Sequence, residues 1–367
     1  NIRITKKQHK FEIRRLQRIT SLRRFLNEYW YDHGGWKMNK YTVLPLLNSS
    51  FEPGKALETV EQFEDKDFRN IAMAELYYFT GRAKECCEIT ELYLENEKME
   101  LRLSACMLYC YANLTLGRSV ASKRGLQGIQ ECISKAMKKE ISEELQASCV
   151  LAGYVGAVLL HLPAEGIPPL WEYSGILSEG LRLFAVYVLA HQAYLNGEYW
   201  SAYGMCKAAL FMTRETYPIS MVYLRCMMST CRINRRYKKE AQIDLMEGWK
   251  MAEKAEPFIE HHGLLQGLIE VCIRKNDPDA YKRITDGVLS FSRGWMAVHN
   301  PETKNKVTDE LTVMEFSIAM KASGGWTNKE IAAHMGISVN TVKHHLTDIF
   351  CKLDIKKREE LKQYMLN

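Results

Sequence analysis

The sequence predicts an all-α protein, an array of helix pairs followed by a small separate helical unit, and three observations predict it. Prolines are sparse and one-sided: all nine lie at or before Pro301, and none falls between Gly54 and Leu162, so long stretches can run as uninterrupted helix. Clear period-two alternation, the mark of a half-buried strand, is absent; residues 41–47 and 149–160 are the apolar stretches whose periodicity alone leaves the type of element open. Small residues recur at fixed offsets from turn glycines, as closely approaching antiparallel helices require.

Composition bounds the rest. At 367 residues with 47% hydrophobic content, the chain suits two or three domains and can bury a sizeable core. The 11 cysteines form neither a Cys-x-x-Cys pair nor a metal-ligand spacing, so they read as small core residues in a reducing, cytoplasmic setting. The longest apolar run, 149–160, is too short to span a bilayer. The chain starts at Asn1 with no methionine and no signal-peptide pattern, which points to a piece of a longer protein. Net charge is +6, unevenly spread: residues 1–24 carry nine Lys/Arg against Glu12, residues 304–367 carry ten against eight acids, and the middle is left at about −4. The basic start is expected to be an amphipathic helix, with Phe11, Ile13, Leu16, Ile19, Leu22 and Leu26 inward; its cations suit nucleic acid or an acidic partner.

In chain order, residues 1–49 are this basic helix and a connection, and 50–298 are the array. Its clearest pair is LAHQAYLNGEYWSAYGMCKAAL around Gly197, where Ala190, Gly197, Ala202 and Ala209 allow close approach while Leu189 and Tyr199 fill between. This pair resembles a tetratricopeptide repeat. Fainter copies stand at Ala74, Tyr77 and Gly81 and at Gly117; Gly81 and Gly197 are 116 residues apart, roughly three repeats of that type. RYKKEAQIDLMEGWKMAEKAEP, from Arg236, reads as one more degenerate pair. Such stacking makes a solenoid whose inner surface can hold a small ligand or peptide. Most of the aromatics Tyr77, Tyr78, Tyr109, Tyr111, Tyr194, Tyr199 and Trp200 are expected in its core. The pattern lapses between Arg293 and Thr308, and 299–308 is read as the linker.

Residues 309–367 carry the densest local signals. Thr312 with Glu315, and Thr327 with Glu330, have the spacing of capping boxes. Gly325 and Gly336 follow the helices they would end. Ser338 caps a third helix to about Leu353, with an apolar stripe of Val342, Leu346, Ile349 and Leu353. Asn340, Lys343, His344 and Thr347 fall on its other face. A fourth helix is predicted over 357–366.

This run, LTVMEFSIAMKASGGWTNKEIAAHMGISVNTVKHHLTDIFCKLDIKKR, resembles the LuxR-type, or GerE-like, four-helix DNA-binding domain. The matching positions are Leu311-Thr312 with Glu315, Asn328 to Ala332, Ile337-Ser338, Thr341 to Lys343 with His345, Lys352-Leu353 and Arg358; Met314 stands where that family usually has arginine. The resemblance implies double-stranded DNA as partner. Thr327, Asn328 and Lys329, at a helix start, would hold phosphate. Lys343 and His344 would reach base edges or flanking phosphates, Thr347 a thymine methyl or one hydrogen bond, and Asn340 lies beside them. Thr341 and His345 would anchor or support. A homodimer on DNA is expected, with the face of 357–366, including Leu361 and Tyr364, as its surface. Helical repeats before such a domain resemble MalT-like regulators, which implies a small-molecule or protein inducer on the repeats.

Other classes find little support. No Gly-x-x-x-x-Gly-Lys-Ser/Thr loop, nucleophile elbow or His-Glu-x-x-His pair occurs, and the His261-His262 doublet has no companion ligands. No catalysis, metal or cofactor is therefore expected. The alternative is a repeat scaffold whose terminal domain docks RNA polymerase or another protein; a scaffold would enrich no sequence from random duplexes.

Overall fold

The computed structural model describes residues 42–138, 141–160, 166–235, 237–254, 311–323, 326–335 and 337–363. The predicted basic helix, the 299–308 linker, Gly325, Gly336 and Tyr364 lie outside them. The described elements are all helical, as the sequence predicts: α1 (Ala56–Glu61), α2 (Lys66–Phe79), α3 (Ala83–Thr90), α4 (Met99–Thr115), α5 (Ser119–Met137), α6 (Glu143–Leu159), α7 (Leu170–Tyr173), α8 (Glu179–Leu195), α9 (Tyr199–Met212), α10 (Pro218–Asn234), α11 (Lys238–Lys254), α12 (Val313–Ser323), α13 (Asn328–Met335) and α14 (Val339–Lys352). The ambiguous stretch at 149–160 runs within and just past α6, started by Ser142, whose side chain accepts from the Leu145 N–H.

Helices pair in sequence, α2 with α3, α4 with α5, α8 with α9 and α10 with α11. The first three of these turns share one device. Gly81, Gly117 and Gly197 sit at φ 83°, 70° and 77°, where a side chain would be strained. Each helix end closes in the same way: Arg82, Arg118 and Glu198 donate N–H to Tyr77, Asn113 and Ala193, and the glycines donate to Tyr78, Leu114 and Tyr194. Close approach within a pair also follows from composition. A Cβ at Gly125 on α5 would stand 2.9 Å from the Cys106 carbonyl and the Cys110 backbone on α4.

The aromatics sort differently from one another. Tyr109, Tyr111 and Tyr194 are buried, Tyr77, Tyr78 and Tyr199 are half-buried, and Trp200 is exposed. The first and fourth of the pairs named above touch: Phe79 on α2 meets Tyr223 on α10 edge to face at 6.2 Å, and Phe184 and Tyr187 of α8 meet the same ring at 6.0 and 5.1 Å. These rings fill the space among α2, α8 and α10. Nine of the ten described cysteines are buried and all ten are free, as small core residues should be. Among the described residues, no helix is long and apolar enough to cross a membrane.

Candidate nucleic-acid interface

The terminal domain is assembled from local signals outward. Thr312 donates its N–H to the Glu315 carboxylate at 2.7 Å, and Glu315 returns its N–H to the Thr312 hydroxyl at 3.3 Å. Thr327 and Glu330 repeat the exchange at 2.7 and 3.3 Å, with a third bond from the Thr327 hydroxyl at 2.8 Å. Both predicted capping boxes therefore form, and they start α12 and α13. Ser338 caps α14 by accepting the Thr341 N–H at 3.0 Å. Val342, Leu346, Ile349 and Leu353 are buried together with Ile318, Ile331 and Leu361, so α14 has one committed face and one open face.

Two long-range fasteners hold the helices in register. The Lys352 ammonium, at the end of α14, donates to both Glu315 oxygens at 2.8 and 2.7 Å. Burial alone would raise the Glu315 pKa, but Lys352 and the Thr312 bonds outweigh it and hold the carboxyl below its usual value. Arg358 donates to the carbonyl of Ala322 at 3.3 Å, to the carbonyl of Trp326, and to the Asn328 side-chain oxygen at 2.6 Å. It pins the approach to α13 from both sides. Sequence reading noted Lys352 and Arg358 as motif positions without finding these roles, because partners 37 and 30 residues away leave no periodic trace.

The predicted contact residues fall into two groups. Asn340, Lys343, His344 and Thr347 are all exposed on the open face of α14. The Thr347 hydroxyl donates to the Lys343 carbonyl at 3.0 Å. Thr341 is half-buried with its hydroxyl 2.8 Å from that of Ser338, a supporting position. At the start of α13, Thr327 and Lys329 are exposed and Asn328 is half-buried under Arg358. The capping box takes the N–H groups of Thr327 and Glu330. His345 is half-buried, and a ring nitrogen and carboxylate oxygens of Glu315 and Asp348 lie within 4.8 Å of one another, which places it inside the domain's support. Over the described part of the predicted fourth helix, Arg358–Gln363 is a 3-10 helix rather than an α-helix, begun where Glu360 accepts the N–H groups of Lys356 and Lys357. Leu361 is buried in the domain core, so it is not surface for a second subunit.

The interface also has a neighbour. α13 lies against α10 of the array. Burial, with the Glu330 carboxylate adding to it, raises the Tyr199 phenol pKa.

A short helix followed by a tight turn and a longer helix with one buried and one polar face is a helix-turn-helix unit. Residues 309–365 match the family described as "GerE: Bacterial regulatory proteins, luxR family". The terminal domain is a LuxR-family helix-turn-helix domain. Similar curated proteins include "Probable transcriptional regulatory protein SgaR" of Hyphomicrobium methylovorum, 33% identical over 20% of this chain and 37% of its own. "Transcriptional regulatory protein LiaR" of Bacillus subtilis is 35% identical over 24% and 40%. "HTH-type transcriptional regulator AlkS" of Pseudomonas putida is 26% identical over 33% and 14%. The chain thus spans at most about two fifths of the length of these relatives. No solved structure matches the chain significantly.

Proposed function

We propose that the chain is a sequence-specific DNA-binding transcriptional regulator, in which α14 enters the major groove and the start of α13 rests on the phosphate backbone. The observation that carries this is the open face of α14: Asn340, Lys343, His344 and Thr347 exposed on a helix whose opposite face is locked into a LuxR-family domain. Lysine and histidine suit guanine edges and phosphates, and asparagine suits adenine. The relatives SgaR, LiaR and AlkS are named as transcriptional regulators, which agrees. In this reading residues 50–298 are the sensor or interaction domain, 299–308 the linker and 309–367 the DNA-binding domain; a small molecule or protein held by the helix pairs controls DNA binding. Control needs two arrangements with different affinity for the inducer, and the contact of α13 with α10 is the element that would change. A homodimer on two half-sites supplies the specificity one helix-turn-helix lacks. Selection from random duplexes, followed by sequencing of the retained pool, tests the reading. A recurrent motif is expected; a pool with none returns the terminal domain to the role of a docking module.

A further inference from the structure

Residues 42–49 form turns rather than regular helix, yet Thr42, Leu46, Leu47, Asn48 and Ser49 are buried. Buried backbone normally satisfies itself within helix or sheet. Here much of the satisfaction comes from side chains on distant elements. The Leu44 N–H donates to the Ser104 hydroxyl on α4 at 2.9 Å. The successive N–H groups of Leu46 and Leu47 donate to the two oxygens of Glu75 on α2, each at 2.9 Å. Asn48 accepts the Leu181 N–H, in the first turn of α8, at 3.2 Å, and Phe51 donates to the carbonyl of Thr216, just before α10, at 2.9 Å. Gly180 leaves room for this passage: a Cβ there would stand 2.6 Å from the Asn48 Cα and 2.7 Å from the Leu47 carbonyl. Ser104, Glu75 and Gly180 all lie on the first helix of their pairs.

A carboxyl group aimed at two consecutive N–H groups, a hydroxyl at a third and a glycine at the point of closest passage are how a protein grips a peptide main chain, with pockets for side chains adding selectivity. We infer that this seat is a peptide-binding site of the array and that residues 42–51 are its resident ligand, exchangeable for a partner's segment of the same chemistry. The seat fixes that chemistry. The two residues over Glu75 must have N–H groups, so neither is proline, and leucines fill their places. An asparagine must follow to meet the Leu181 N–H. Lysine, arginine or aspartate at the buried positions would lose hydration without a partner. The partner is therefore an uncharged apolar segment of the Leu-Pro-Leu-Leu-Asn kind. This gives a chemistry to the protein inducer in the proposed regulator, but its test does not involve DNA and can fail or succeed separately.

The test uses the full 367-residue chain with the resident ligand weakened by Leu47→Ala and Asn48→Ala, and a fluorescent peptide of sequence TVLPLLNSSF. Saturable binding at least ten-fold tighter than to the parent chain is expected, lost when Gly180→Ala is added and lost when the peptide carries the same two alanines. Should the weakened chain unfold, peptide-induced recovery of helical circular dichroism is the equivalent result. Absence of both binding and recovery, or binding that survives Gly180→Ala, overturns the inference.

Discussion

Glu75 is fully buried, and burial pushes its carboxyl from its ordinary 4.5 up to about 8 against the opposing pull of the Leu46 and Leu47 N–H groups. The folded chain therefore holds this proton more tightly than the unfolded chain does. Stability tied to it is present below about pH 4.5 and is lost as pH rises towards 8. Burial also raises Asp244, to about 6 against the pull of Arg232, so the two acids slope the same way at lower pH. The melting temperature should fall between pH 6 and 8, and Glu75→Gln, which cannot ionise, should flatten that fall whatever it does to absolute stability. An undiminished slope in Glu75→Gln would assign the fall to other groups. On the terminal domain, Lys343 and Lys329 are both exposed but hold different places. Lys343→Ala should lower affinity for a selected operator by about 1–3 kcal/mol, whereas Lys329→Ala should weaken all duplexes alike and reduce the salt slope by about one. Titrations at several salt concentrations, against selected and random duplexes, separate the two.

The terminal domain depends on side chains that bridge its elements. Arg358 ties the 3-10 turn to the end of α12 and the start of α13 through Ala322, Trp326 and Asn328. Hydrogen bonds to a charged donor each contribute about 1.5–3 kcal/mol. Arg358→Ala should cost the domain stability in that range and, by freeing Asn328, weaken binding to every duplex; thermal melts and the Lys329→Ala titration protocol report both. What was legible in the sequence is what lies close along it. The capping boxes span three residues, the α14 stripe repeats with the helical period, and Ser338 touches Thr341; each is fixed by spacing alone. Arg358 with Asn328, Lys352 with Glu315, and Asn48 with Leu181, 133 residues away, depend on how helices meet, and no local pattern encodes that. Within the predicted helix over 357–366, the described residues Arg358–Gln363 wind as a 3-10 helix, which carries Leu361 into the core as well as an α-helix would.

On the scale of the molecule, α13 is the element shared by the two parts, since it lies against α10 and is also assigned to the phosphate backbone. If the array must yield α13 before DNA is held, only the released fraction binds, and the apparent dissociation constant rises in proportion. Residues 309–367 expressed alone should therefore bind a selected duplex more tightly than the full chain, by about ten-fold where one molecule in ten is released. Equal affinities would leave α10 as a passive neighbour. The meeting of Phe79 with Tyr223 has a different consequence. In an open stack each pair leans only on the next, so the ends can fray and melting can spread inward in steps. Here α2 also touches α10 through Phe79 and Tyr223, which couples the first pair to the fourth as well as to its neighbours. A first pair fastened to the fourth is a poor place for unzipping to start, so denaturant should take helices α2 to α11 apart in one cooperative event, with amide exchange in α2 and α10 slowing to a common rate.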